Sequence, residues 1–147
     1  MTGERAERFV VFNLRLLALS FALVGTLFIA APDGVLDAIT DLGDEIGDFT
    51  PAPETVEQFW LGLGFAYMVV IAGICLVVSL DVVRYRPLLL VLAAGKAASS
   101  LSTLGFYLFD ADVFAYLLNF LVDGFLVGVA LLLWTLAGRI GEPAAPS

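Results

Sequence analysis

Four apolar runs, each about as long as a bilayer is thick, leave this chain few ways to fold. They cover residues 9–31, 59–80, 88–109 and 113–137. A helix rises ~1.5 Å per residue, so about 20 apolar residues cross the ~30 Å hydrocarbon core. In that solvent every backbone N–H and C=O must find a partner within the protein, which a helix provides and a lone strand does not. The expected fold is therefore all-α, an integral membrane four-helix bundle. Short connections between the last three runs make those helices antiparallel neighbours. With 61% of the 147 residues hydrophobic, little chain remains for a second domain. Residues 1–147 read as one membrane domain ending in a short disordered tail at 140–147.

The first run has some marks of a secretory leader, since Arg5 and Arg8 precede it and Ala30-Ala31-Pro32 closes it. However, it is about twice the length of a leader's apolar core, and Arg15 interrupts it. An uncleaved spanning helix is expected. Arg5, Arg8 and Arg15 precede or open the first run, Arg84 and Arg86 lie between the second and third, and Arg139 follows the fourth. The connection 32–58 and the turn Asp110-Ala111-Asp112 contain no Lys or Arg. Basic residues stay on the cytoplasmic side, so the expectation is a multi-pass plasma-membrane (inner-membrane) protein with both termini cytoplasmic. Trp60, Trp134, Tyr85, Tyr107 and Tyr116 fall near segment ends, where interfacial aromatics belong.

The net charge of -8 then acquires an address. Of 15 acidic residues, eight lie in the first external connection: Asp33, Asp37, Asp41, Asp44, Glu45, Asp48, Glu54 and Glu57. This argues against nucleic-acid binding, and no basic cluster suggests capture of anionic lipids. Within 34–49, Val35, Leu36, Ile39, Leu42, Ile46 and Phe49 recur at helical spacing, with the acidic residues between them. The pattern predicts a short amphipathic acidic helix, with Asp33 as N-cap. Thr50-Pro51-Ala52-Pro53 ends it, and Pro53 can open the next helix. Asp37, Asp41, Asp44, Glu45 and Asp48 form its acidic face. That face reads as solvated, with cation or partner-protein binding as the alternative; it lacks the alternating ligands and turn glycine of a calcium loop.

Charges recur where they cost most. Lys96 lies inside the third run and Asp123 inside the fourth. On insertion scales a central Lys or Asp costs ~2.5–3.5 kcal/mol, and each Leu, Ile, Val or Phe returns only about 0.3–0.6. Lys96, Ser99 or Ser100, Thr103 and Tyr107 follow one another at three- and four-residue steps, and Tyr116, Asn119 and Asp123 do the same. Counting outward from Ala111 sets Tyr107 near Tyr116, Thr103 near Asn119, and Ser99 or Ser100 near Asp123. Lys96 then lies one turn deeper, within reach of Asp123 through its long stem. A buried polar seam between the third and fourth helices is expected. It serves either as an ion pair fixing their register or as a polar pocket or proton relay.

Other intramembrane residues read as packing or anchoring. Gly124 and Gly128 on the fourth helix, with Gly62 and Ala66 on the second, offer small surfaces for contacts within the chain or in a homo-oligomer. Arg15 would snorkel to headgroups or pair with Asp81, with an accessory place in the central pocket as the alternative. Cys75, the single cysteine, cannot form an internal disulfide. Without histidine, the chain has no imidazole base, no plausible metal or haem site and no His-assisted nucleophile. Neither a phosphate-cradling loop nor an internal repeat is present. No cofactor is expected, and the balance is against an enzyme.

Arg15 opening the first helix, Gly25 within it, Pro32 after it, the amphipathic segment ending near Leu42-Gly43 and the glycine-rich Trp60-Leu61-Gly62-Leu63-Gly64 together resemble the DoxX-like group of small four-helix bacterial membrane proteins. The likeness covers the first two spanning helices. It implies the same architecture and a role as a membrane component of redox or stress systems. Two functions from different classes are thus expected. One is a non-enzymatic subunit or scaffold whose partners are the lipid bilayer, a membrane protein or a second copy. The other is a small transporter or a lipid- or quinone-binding protein that uses the seam. They differ in whether Lys96 and Asp123 meet in dry packing or border a pocket.

Overall fold

The computed structural model describes residues 3–52 and 58–140. These contain five helices: α1 (Gly3–Ala30), α2 (Pro32–Asp44), α3 (Gln58–Leu80), α4 (Leu88–Phe109) and α5 (Phe114–Ile140). All except α2 are long and apolar enough to cross a membrane. Their outer faces carry large apolar side chains, among them Phe12, Leu19, Leu80, Phe125 and a 90% exposed Phe109. In water so continuous an apolar surface would drive aggregation, whereas acyl chains solvate it. The chain has the build of a small multi-pass membrane protein.

Helix bounds depart from the apolar runs where polar residues can continue a helix. α1 begins two turns before residue 9, with an exposed Arg8–Glu4 pair at 3.6 Å along that extension. α5 runs on through Gly138 and Arg139 to Ile140, and residues 141–147, most of the expected tail, lie outside the described residues. α2 starts earlier than expected and stops sooner. Ala31 rather than Asp33 occupies the N-cap, without a side-chain cap, because Pro32 takes the first helical position. The chain leaves the helix after Asp44, so Ile46 and Phe49 lie beyond it. Pro53, Glu54 and Glu57 lie outside the described residues.

α1 packs along α3 and α4 along α5; the two pairs join along α1 and α5 and, more sparsely, along α3 and α4. Chain direction alternates through the four. The α3–α4 turn therefore lies at the end of the bundle where α1 begins and α5 finishes, here termed the terminal end. The opposite end carries α2.

Packing is uneven along the bundle. The fully buried residues Val10, Leu14, Val78, Leu89, Leu133 and Ala137 all lie in the terminal half, and Cys75 is buried among them. Because acyl chains are as apolar as leucine, this core holds by close fit rather than by exclusion of water. The fit is tightest at glycines. A Cβ on Gly25 would lie 2.9 Å from Met68 Cβ, joining α1 to α3, and one on Gly138 would lie 2.7 Å from the Arg86 guanidinium. Arg86 in turn stacks on Trp134 at 4.1 Å and donates from Nε to the Trp134 carbonyl at 2.9 Å, clamping the α3–α4 turn to α5.

At the other end α2 lies on the start of α5. Gly43 is buried on Phe114, where a Cβ would come within 2.8 Å of the ring, and Phe49 packs on the same ring at 5.0 Å. Thr50 bridges to the α4–α5 turn: its amide donates to the Asp112 carbonyl at 3.3 Å and its hydroxyl to the Asp112 carboxylate. The acidic side chains of α2 and of the turn after it point away from this seat and are exposed.

Candidate functional site

The two intramembrane charges meet. Lys96 Nζ donates to Asp123 Oδ1 at 2.8 Å, with the side chains only 2% and 5% exposed. The ammonium also lies 4.5 Å from the Phe21 ring centroid and 5.3 Å from that of Tyr67. Each spanning helix thus sends one residue to this level: Phe21 from α1, Tyr67 from α3, Lys96 from α4 and Asp123 from α5. A rise of ~1.5 Å per residue sets Lys96 about 12 Å into α4 and Asp123 about 14 Å into α5 from the opposite end, deep in the span from either side. Two electron-rich ring faces and a carboxylate surround the ammonium, which offsets part of its desolvation.

Around the pair, α4 and α5 are stitched by neutral hydrogen bonds. Ser100 Oγ donates to the Phe120 carbonyl at 2.8 Å. The Asn119 side-chain amide reaches Ser99 Oγ at 3.3 Å and Thr103 Oγ1 at 3.2 Å, and the Thr103 hydroxyl bonds back to the Ser99 and Ser100 carbonyls. The seam differs from the count about Ala111 in its lower rungs. No hydrogen bond joins Ser99 or Ser100 to Asp123 among the described residues. The bonded pair Ser100 and Phe120 is symmetric about Asp110, so next to the ion pair the axis lies about one residue earlier, whereas the Asn119–Thr103 bond keeps the count about Ala111. The upper rung differs as well: Phe106, not Tyr107, packs on Tyr116, with ring centroids 5.8 Å apart. Phe106 is seven residues beyond Ser99 and so shares its face, whereas Tyr107 follows the Ser100 face.

Above the pair, toward α2, the helices stand apart around a cavity of about 880 Å³. Its floor is polar, formed by Tyr67, Lys96, Ser99, Asn119 and Asp123. Its walls are apolar and rich in rings, including Phe28, Trp60, Phe65, Phe106 and Tyr116, and Leu36 of α2 and Ala52 lie at the end beneath the α2 segment. The volume falls in the ~300–1,000 Å³ range that takes one drug-sized molecule. The ion pair is therefore both a dry contact between α4 and α5 and the floor of a cleft.

Tyr67 and Phe21 were not singled out by the sequence. Of four tyrosines, Tyr67 is the one far from a segment end, and an aromatic hydroxyl at that depth is the signal that marks it. Its hydroxyl is buried without a hydrogen-bond partner among the described residues. The Gly95 backbone sits against it, since a Cβ there would be 3.2 Å from the hydroxyl oxygen.

Other expectations meet a different arrangement. Arg15 is exposed, lines no part of the cavity and forms no ion pair with Asp81. It lies six residues from Phe21, which turns it about a third of the way round α1. Gly62 and Gly128 face open space and Ala66 is exposed, so none of them brings two helices of this chain together. Gly124 does approach a neighbour, with Ser100 Oγ 3.3 Å from a Cβ position. The acidic side chains of α2 stand apart, and among the described residues no group of His, Cys, Asp and Glu could hold a metal ion. Compared with models of protein families, with curated proteins and with solved structures, the chain matches none.

Proposed function

We propose that this protein binds a lipophilic molecule in the cleft between its two helix pairs, with the Lys96–Asp123 pair as the polar floor. The observation that carries this reading is the double role of the pair: it is satisfied within the protein, yet it borders a cavity large enough for a ligand. A bond serving register alone needs no such space above it, and close-packed interiors rarely leave one. The activity is binding or carriage of a membrane-soluble compound, without a catalytic residue. The proposed setting is the plasma membrane, with both termini cytoplasmic. All six arginines lie toward the terminal side of the polar floor, and the acidic helix α2 lies at the other end. The resemblance to DoxX-like proteins, on residues of α1 and α3, adds a proposed place beside redox or stress systems.

The scaffold reading has its own support, since Lys96 and Asp123 meet at 2.8 Å while nearly sealed from solvent. In that case the pair holds α4 to α5, and the exposed apolar faces meet a membrane-protein partner or a second copy. Gly64→Phe separates the two. Gly64 lines the cleft with nothing within 4 Å of its Cβ position, so a ring there fills the space without straining the backbone. Extracted in mild detergent and analysed by native mass spectrometry, the wild-type protein should carry a lipophilic molecule that G64F lacks. Identical adducts on two equally well-folded proteins would remove the binding reading.

A further inference from the structure

Resting on that reading, the chemistry of the floor narrows the ligand. The pair is neutral in sum: one ammonium and one carboxylate, and Lys96 is the only basic residue lining the cleft among the described residues. A charged head group would leave an uncompensated charge at a depth where insertion scales assign ~2.5–3.5 kcal/mol to each. The head is therefore uncharged. Hydrogen-bonding capacity remains on both sides. An ammonium has three donors and a carboxylate about four acceptor sites, and the pair uses one of each in its mutual bond. The Tyr67 hydroxyl, a donor and an acceptor, is buried with no partner among the described residues. Because a buried polar group without a partner costs about 1–3 kcal/mol, a ligand that reaches Tyr67 recovers energy the protein alone does not.

We infer that the cleft holds a membrane-soluble alcohol or phenol, its hydroxyl lowered onto Tyr67 and the Lys96–Asp123 pair and its apolar body against the rings above. A hydroxyl both donates and accepts, which suits a floor offering an unused phenolic O–H beside an acceptor-rich carboxylate; a ketone or ether would only accept. The covering α2 segment favours arrival from the bilayer over arrival from water. Gly43 on Phe114 and Thr50 on Asp112 fix that cover.

Trp60, in the cleft wall, reports occupancy. It lies seven residues from Tyr67, about 10 Å along α3, so bromines placed mid-chain on a bound lipid would quench it. The probes are four lipids with one dibrominated stearyl chain and different heads: alcohol, carboxylic acid, amine and none. They are titrated at neutral pH into the Trp134→Phe protein in detergent. The Trp60→Phe protein, in which Trp134 lies outside the cleft, gives the background from unspecific partition. The alcohol should quench Trp60 saturably, with a half-saturation at least about ten-fold below those of acid and amine. Tyr67→Phe should raise the half-saturation of the alcohol about two- to ten-fold, the worth of one neutral hydrogen bond, and leave the headless chain unchanged. If the acid or amine binds as tightly as the alcohol, or Y67F shifts the alcohol and the headless chain alike, the head-group assignment fails while ligand binding stands. If no probe quenches saturably, both fail.

Discussion

Replacing Lys96 with methionine removes the ammonium and keeps an unbranched side chain one atom shorter, leaving Asp123 buried and unpaired. The structure sets the scale. The pair is 2–5% exposed and bonded at 2.8 Å, and among the described residues no other basic residue lines the cleft. Removing one partner of such a pair costs ~3–5 kcal/mol, mostly the penalty of the abandoned charge rather than the net worth of the bond. For a chain of this size that lowers the apparent melting temperature by roughly 6–20 °C. Neutral hydrogen bonds within membranes, by contrast, are worth only about 0.6 kcal/mol each on average, so the surrounding Ser and Asn bonds cannot mask the loss. Removing both charges is a different perturbation. The double variant K96M/D123L buries no charge, and the cleft gives the leucine room. Its stability should return to within about 1–2 kcal/mol of wild type. Thermal unfolding in detergent of wild type, the two singles and the double closes the cycle. If each single costs less than about 1 kcal/mol, or the double loses the sum of the singles, the pair is not coupled across α4 and α5.

Glycine substitutions test the packing at three places. Gly25→Ala sets a methyl 2.9 Å from Met68 Cβ, an atom close to the backbone that cannot swing aside. It should destabilise by about 1–3 kcal/mol in the same melt, whereas Gly128→Ala, in open space, should stay within about 0.5 kcal/mol. Gly43→Val drives a branched side chain into Phe114 and should lift α2 from its seat, read as faster amide exchange over α2 with little change in α4.

Much of the architecture is legible in the chain because lipid admits so few solutions. The run at 88–109 coincides with α4, and the stripes on the last two helices contain the bonded pairs Lys96–Asp123 and Asn119–Thr103. Boundaries drift where hydropathy has nothing to say, as in the charged first turns of α1 and at Pro32. Small-residue spacing misleads for a related reason. Gly124 and Gly128 fit a packing pattern, yet Gly128 faces open space, and the tightest approaches fall at Gly25, Gly43 and Gly138. A periodic motif identifies a helix face without revealing what that face meets. The cleft is the least legible feature. It exists because the helices pack tightly in one half and stand apart in the other; Phe21 reads locally as an ordinary apolar aromatic, and only a hydroxyl at mid-span depth distinguishes Tyr67.

The central claim is that the space above Lys96 and Asp123 belongs to a ligand. A crystal structure grown from a lipidic mesophase, with the protein purified without delipidation, tests it most directly. Elongated non-protein density between Trp60 and the ion pair, ending within hydrogen-bond distance of the Tyr67 hydroxyl, is the predicted result. A closed cleft, with Phe65 packed on Phe106 and no space above the pair, would contradict it.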